Sequence, residues 1–421
     1  MSVAVTPGTT SASPLPPEEA KRSPLELVAW GVGVFLLVSL VRVLTDANDV
    51  ISAGTLQASV VAAIPIALAG LGGIWSERAG VVNIGLEGMM VLGALGAGYF
   101  GYEYGIAAGV IGGVALGAAG AAVHSLATVV FGVDHIVSGV AINIMAPGLA
   151  AYLAKALFTD LPGGGPTQSP PFGNPPTITI DAIADPAKDL QDKHWFVLSD
   201  LASIVAALTR ELSVLTLIAL ALIVATAWIL WKTGFGLRLR SVGESPSAAE
   251  SLGVNVYRFK TIGVLASGML AGLGGAYLAC VSAQGYQNGM VNGLGYIGLA
   301  AMIFGNWRPG LMLAGATLFG YTRTLQLRGG SDSLHALLLV IAVLLIVYAV
   351  LLLRGGRRTQ AIVTVLLGAG FLLWFITTDS VPPEFTGMAP YVTTLFVLAF
   401  LSQSLRPPKA DGQIYRKGSA G

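Results

Sequence analysis

Apolar runs of roughly twenty residues recur along this chain almost to its end, and they constrain its fold more than any other feature. Such a run suits a helix crossing the ~30 Å hydrocarbon layer of a bilayer. Charge agrees with that reading. Asp, Glu, Lys and Arg make up 11% of the 421 residues, against about 25% in soluble domains. An ordinary soluble enzyme, a disordered chain and a nucleic-acid binder with its basic stripe are excluded. A net charge of +1 provides no long-range steering toward anionic partners. The single cysteine, Cys280, excludes a disulfide framework and a Cys-based metal site.

Spans are expected near 27–44, 55–75, 81–100, 106–131, 136–158, 213–231, 261–281, 295–304, 311–325, 336–353, 361–376 and 391–401. The fold class is therefore all-α, a polytopic integral membrane protein with about 10–12 transmembrane helices. The short 295–304 run is a candidate re-entrant segment. The membrane domain covers 27–404, between a Pro/Ser/Thr-rich tail at 1–26, which reads as disordered, and a tail at 405–421. The first tail lacks the pattern of a cleaved signal peptide.

Lys and Arg mark the cytoplasmic side of a membrane protein. Three clusters fall on one side if both termini are cytoplasmic: Lys232, Arg238, Arg240, Arg258 and Lys260 in the 232–260 loop; Arg354, Arg357 and Arg358; and Arg406, Lys409, Arg416 and Lys417. The opposite side receives Asp46, Asp49, Glu103, Asp379, Glu384 and the long polar loop 159–198 with Asp160, Asp181 and Asp185. Arg323 and Arg328 are the exceptions. The expected location is the cell membrane, multi-pass.

Gly105, Gly109, Gly113 and Gly117 recur every four residues, a spacing that lines one helix face for close packing. The stretch 76–90, SERAGVVNIGLEGMM, sets three charges, an Asn and three glycines between apolar runs. Glu77 and Arg78 read equally well as a solvated turn. Asn83 and Glu87, four apart, share a helix face at a depth where polar groups face a cavity or a partner. They are pathway candidates, together with Asn143 and Gln284. Asn143 also reads as a buried hydrogen-bonding residue, and 282–289 reads as either an exterior loop or a re-entrant lip.

The loop GESPSAAESLGV at 243–254 predicts a helix of about two turns over 246–252, with Ser245 as N-cap, Pro246 at its first position and Gly253 at C′. A helix so short needs something to dock on. This loop, the 76–90 stretch and 293–310 resemble permease subunits of ATP-binding-cassette importers for nucleosides and simple sugars, within the wider group of branched-chain amino-acid and ribose permeases. The resemblance covers roughly 55–330 and resumes at 388–417. It implies that the chain forms the translocation pathway for a small polar solute, most readily a nucleoside. It further implies ATPase subunits docked on the loop, a second permease subunit (often a different chain) and an extracytoplasmic solute-binding lipoprotein. Gly243, Glu244, Pro246, Ala248, Ala249 and Gly253 match the family's coupling pattern. Position 245, usually Asn there, is Ser here. A helical hairpin at 335–377 and the length of 159–198 depart from the family pattern.

No G-x-x-x-x-G-K-[ST] loop and no G-x-S-x-G elbow occur, and the four histidines have no metal-ligand spacing. The expectation is a non-enzyme with no cofactor of its own, ATP being bound by partner subunits. An ion-gradient-driven transporter using Glu87 is the alternative.

Overall fold

A computed structural model describes residues 24–173, 175–388 and 405–418. The expected span at 391–401 and most of the N-terminal tail lie outside the described residues. In chain order the helices are α1 (Pro24–Thr45), α2 (Ala53–Arg78), α3 (Leu86–Tyr104), α4 (Ile106–Ser125), α5 (His135–Phe158), α6 (Asp181–Gln191), α7 (Leu198–Thr209), α8 (Val214–Lys232), α9 (Gly234–Glu244), α10 (Pro246–Ser251), α11 (Val256–Tyr277), α12 (Leu294–Phe304), α13 (Pro309–Thr324), α14 (Gly330–Arg354), α15 (Arg358–Thr377) and the single turn α16 (Pro383–Thr386). Five-residue π-helical turns extend α4, α11 and α13. Thr177–Ile178 and Leu212–Ser213 form a short antiparallel pairing.

Seven of these helices are long and apolar enough to cross a membrane: α2, α4, α5, α8, α11, α14 and α15. The chain is an all-α, multi-pass membrane protein. Among the other expected spans, α12 and α13 have 11 and 16 residues, and α3 carries Glu87 and Glu103.

Helices α2 and α11 are the bundle's axis, buried over most of their length and packed against each other, with α12 and α13 on α2 and with α3 and α4 on α11. Such proximity needs small side chains, since lipid supplies no hydrophobic force between helices. At the α3–α4–α11 junction, Gly93, Gly113, Gly117, Gly268 and Gly272 bring three backbones together. A Cβ on Gly272 would stand 2.5 Å from the Gly113 carbonyl. Of the four-residue repeat, Gly109, Gly113 and Gly117 lie on this packed face. Gly105 instead forms the α3–α4 turn, with φ 86° and open space around its Cα.

The long 159–198 segment contains α6, and α7 follows it. At 12 residues α7 is too short to span, so its apolar residues give no transmembrane signal. A buried ion pair holds it in place. Arg42 of α1 meets Asp200 of α7 at 2.8 Å, and the Ser39 hydroxyl donates to the same carboxylate. Helices α14 and α15 form an antiparallel pair, α14 packing on α1 through Ala336, Val340 and Val41.

Replacing Gly272 with Leu is expected to lower the melting temperature in detergent, because overpacking costs about 1–3 kcal/mol or more where backbone is the obstacle. Gly148→Ala, at a glycine with nothing within 4 Å, is expected to leave it unchanged.

Candidate functional site

Helix α2 stops at Arg78, and Gly80, at φ 80°, turns the chain back into the bundle. Residues 81–85 then run without regular helix to the start of α3. Lipid offers no partners for open backbone groups, so protein must supply them. Lys260 Nζ donates to the Gly80 carbonyl at 2.8 Å. The Ser76 hydroxyl donates to the Val81 carbonyl at 2.5 Å. The Val82 N–H donates to His135 Nδ1 at 3.3 Å, and the Val82 carbonyl meets His124 Nε2 at 3.0 Å. Asn143 Nδ2 donates to the Ile84 carbonyl at 2.9 Å, while its Oδ1 accepts the Gly88 N–H at 2.8 Å. Asn83, fully buried, donates to the Ser267 hydroxyl at 2.8 Å.

A second break faces the first. Helix α12 has 11 residues, about 16 Å, or half the hydrocarbon layer. It ends at Phe304, and Asn306 and Trp307 just after it lie beside Arg78, so it begins inside the bundle. The connection from α11 therefore re-enters to reach it. Its open N-terminal amides point at Glu87. Oε1 accepts the Gly293 N–H at 2.8 Å and Oε2 the Gly295 N–H at 2.7 Å. A carboxylate at this end also meets the positive pole of the helix dipole. Asn143 Nδ2 donates in addition to the hydroxyl of Tyr296 at 3.0 Å, a residue 48% exposed.

Asn83, Glu87 and Asn143 thus come together at the two breaks, each holding backbone or a neighbouring side chain. Gln284 does not join them. It lies at the membrane end opposite the 232–260 loop, at φ 54°, its carbonyl accepting the Phe172 N–H at 3.1 Å.

On the loop side, Glu77 and Arg78 are not a solvated turn. Trp307 Nε1 donates to Glu77 Oε2 at 2.5 Å. The Arg78 guanidinium donates to the carbonyls of Asn306 and Trp307, sits 3.9 Å from Glu244 and lies 5.6 Å from the centre of the Trp231 ring. Helix α10 covers Pro246–Ser251 and ends as expected, with Gly253 at φ 81° and the Val254 N–H bonded to the Ala249 carbonyl at 3.0 Å. Ser245 occupies the N-cap position, but its side chain makes no capping bond. Gly243 lies against the backbone of Arg78 and Gly80. Ala249 is buried with Val242 and Val256. Glu244, Ala248 and Gly253 are exposed, Pro246 is half-buried, and Leu252 is 84% exposed.

The tail 405–418 docks under this region. The Ala410 N–H donates to the Gly243 carbonyl at 2.9 Å, the Arg406 N–H to Asn306 Oδ1 at 2.9 Å, and Tyr415 packs against Tyr257 with ring centres 5.3 Å apart. Asp411 lies beside the buried carboxyl of Glu77. Burial pushes Asp411 up to about 7, against the downward pull of its neighbours Glu77 and Lys260.

Sequence reasoning gave no site role to His124, His135, Lys260, Ser267, Tyr296 and Trp307. For His124 and Ser267 the available signal was a polar side chain inside an apolar run. The partners are too distant in sequence to be paired from spacing.

The chain matches the model of the branched-chain amino acid transport system permease component family over residues 55–350. It is similar to the guanosine ABC transporter permease protein NupQ of Bacillus subtilis, 35% identical over 86% of this chain and 96% of the relative. It is also similar to the nucleoside ABC transporter permease protein NupC of Lactococcus lactis, 33% identical over 84% and 93%. The putative glucose ABC transporter permease protein TsgC13 of Haloferax volcanii is 34% identical over 67% and 80%. No solved structure matches.

Glu87→Gln exchanges one carboxylate oxygen for an NH2 group and leaves an α12 amide without an acceptor. A loss of about 1–3 kcal/mol in stability is expected, read as thermal unfolding in detergent. For the tail, an acid whose folded value is raised favours the docked state at low pH, and that advantage is lost as pH climbs from the ordinary aspartate range, about 4, through about 7. Proteolytic release of the tail is expected to rise over this window, and Asp411→Asn to flatten the rise.

Proposed function

The chain belongs to the family of permease components of branched-chain amino acid transport systems, and from that premise we propose that it forms the membrane pathway of an ATP-driven importer whose solute is a nucleoside. At the coarser level, it is a non-enzymatic permease subunit of an ABC importer for nucleosides or sugars, resident in the cell membrane. Nucleoside is preferred because the two relatives matched over more than four-fifths of both chains are named for guanosine and for nucleosides.

The observation that carries the pathway reading is the half-exposed Tyr296 at the α12 break. Its hydroxyl is bonded to Asn143, which also bonds the Ile84 carbonyl and the Gly88 amide. Polar groups exposed at membrane depth face water or a partner, not lipid. This face is assigned to the pathway, shared with a second permease subunit. Glu87 and Asn143 serve it by holding the two breaks in register, with Asn83 buried behind them. Gln284 belongs to the mouth on the opposite side. Glu87 gives no support to ion-driven transport, because both of its oxygens are already taken by α12 amides.

The α9–α10 loop is the assigned dock for ATPase subunits, which bind the ATP. Within it, Ala248 and Leu252 present the outward surface. Gly243 and Ala249 seat the loop on α2 and α11. A solute-binding lipoprotein delivers from the other side.

Two measurements test this reading in the complex reconstituted with its partner subunits. Tyr296→Ala is expected to reduce ATP-dependent nucleoside uptake at least ~10-fold while assembly persists. Leu252→Glu is expected to abolish co-purification of the ATPase with the permease still folded. Uptake driven by an ion gradient from this chain alone contradicts the proposal.

A further inference from the structure

A cavity of about 550 Å³ opens on the loop side of the bundle, where five segments meet. Arg78 ends α2, Trp231 lies in the last turn of α8, Glu244 ends α9, Arg308 precedes α13, and Arg406 and Lys409 come from the tail. Among the described lining residues, four cations meet one carboxylate. Glu244 is 3.9 Å from Arg78 and accepts the Lys409 N–H at 3.4 Å, and a single carboxylate does not balance all four. The carboxyl groups of Glu77 and Asp411 lie near Arg78 but do not line the cavity. Arg240 brings a further cation to the edge, its guanidinium lying 5.6 Å from the centre of the Trp231 ring, as does that of Arg78.

The depth of the cavity follows from helix length. Helix α2 has 26 residues, about 39 Å, and outruns the ~30 Å hydrocarbon layer. Its last residue, Arg78, therefore stands at headgroup level, where Trp is also favoured. Apolar surface begins one turn deeper. Trp228 precedes Trp231 by three residues on α8, and Leu311 follows Arg308 by three at the start of α13. A spacing of three places each pair on one helix face, and both Trp228 and Leu311 are exposed. The site thus joins a cationic cavity at the membrane surface to exposed apolar side chains at hydrocarbon depth.

We propose that this cavity holds the headgroup phosphate of an anionic phospholipid from the leaflet on the loop side. Guanidinium forks match phosphate oxygens through paired, charge-assisted hydrogen bonds. Basic pockets between transmembrane helices take lipid headgroups in this way. The acyl chains run along α8 and α13 past Trp228 and Leu311, an apolar contact that a soluble phosphate compound does not need. That flank favours a lipid over free phosphate, which the same cations would also bind. A bound headgroup bridges α2, α8, the start of α13 and the tail beside Glu244, and so braces the base of the α9–α10 loop.

The test uses the full-length chain in its complex with the partner subunits, in detergent and stripped of lipid. The complex is titrated with phosphatidylglycerol, phosphatidylcholine or inorganic phosphate while its melting temperature is read. Phosphatidylglycerol is expected to stabilise the wild type, and the other two are not. Arg308 and Arg406 are exposed, so their replacement leaves the packed bundle intact. Arg308→Gln and Arg406→Gln are each expected to raise the half-saturating phosphatidylglycerol concentration about 5-fold, and together about 25-fold. Arg357→Gln with Arg358→Gln removes two charges of another basic cluster, outside the cavity, and is expected to change nothing. An equal loss in that control overturns the inference by reducing it to general surface charge. A wild type that does not respond to phosphatidylglycerol also overturns it. So does stabilisation by inorganic phosphate that the cavity variants abolish, which identifies a soluble phosphate compound as the ligand. Loss of the ATPase from the variant complex with phosphatidylglycerol binding unchanged overturns it too, and assigns the cations to an acidic surface of that partner. None of these results bears on the importer reading, which uptake tests separately.

Discussion

The structure depends on having two places inside the bundle where the backbone leaves the helix. Open amides and carbonyls at membrane depth find no partners in lipid, so other elements must supply them. For 80–88 these are Ser76, His124, His135, Asn143 and Lys260. For the start of α12 it is Glu87. Helices α2, α3, α4, α5, α11 and α12 are thereby tied to one point. The polar residues of this chain are scarce because the remaining backbone is helical and satisfies itself.

Such ties work only if the helices approach closely. The glycines of α3, α4 and α11 allow backbones to meet where any larger side chain would collide. Close packing also makes the arrangement stiff, since packed interiors do not deform continuously. A displacement at one end of α2 or α11 is therefore carried along the helix. The far end of α2 lies on the loop side, where Arg78 touches Asn306, Trp307 and Glu244. Gly243 seats α9 directly on the same turn. The tail from Leu405 to Gly418 lies across these contacts and joins them to α10 through Tyr415. The two breaks and the α9–α10 loop thus share a mechanical connection through short-range contacts, with no long-range field required.

The break at 76–90 was legible because its residues are out of place in an apolar chain. Glu87 and Asn143 stood out as polar residues within apolar surroundings, but the chemistry of Glu87 was not readable. Its partners Gly293 and Gly295 lie more than two hundred positions away, and backbone amides leave no mark in a sequence. His124 and His135 show the same limit. They have no metal spacing, yet both bond the peptide groups of Val82. Helix α7 escaped notice because its 12 residues are too few to span, and its packing on α6 and α2, together with the contact with Arg42, explains its burial.

By itself the sequence determined the all-α membrane class, the positions of most helices, the ends of α10 and the residue types that resist lipid. These follow from local physics: apolar run length, Pro and Gly at helix ends, and the cost of charge in hydrocarbon. Only the tertiary structure decided which polar side chain satisfies which backbone group, which face of the α9–α10 loop points outward, and that Arg323 and Arg328 line one cavity. Those relations join residues distant along the chain, and helix packing, not spacing in sequence, brings them within hydrogen-bonding distance.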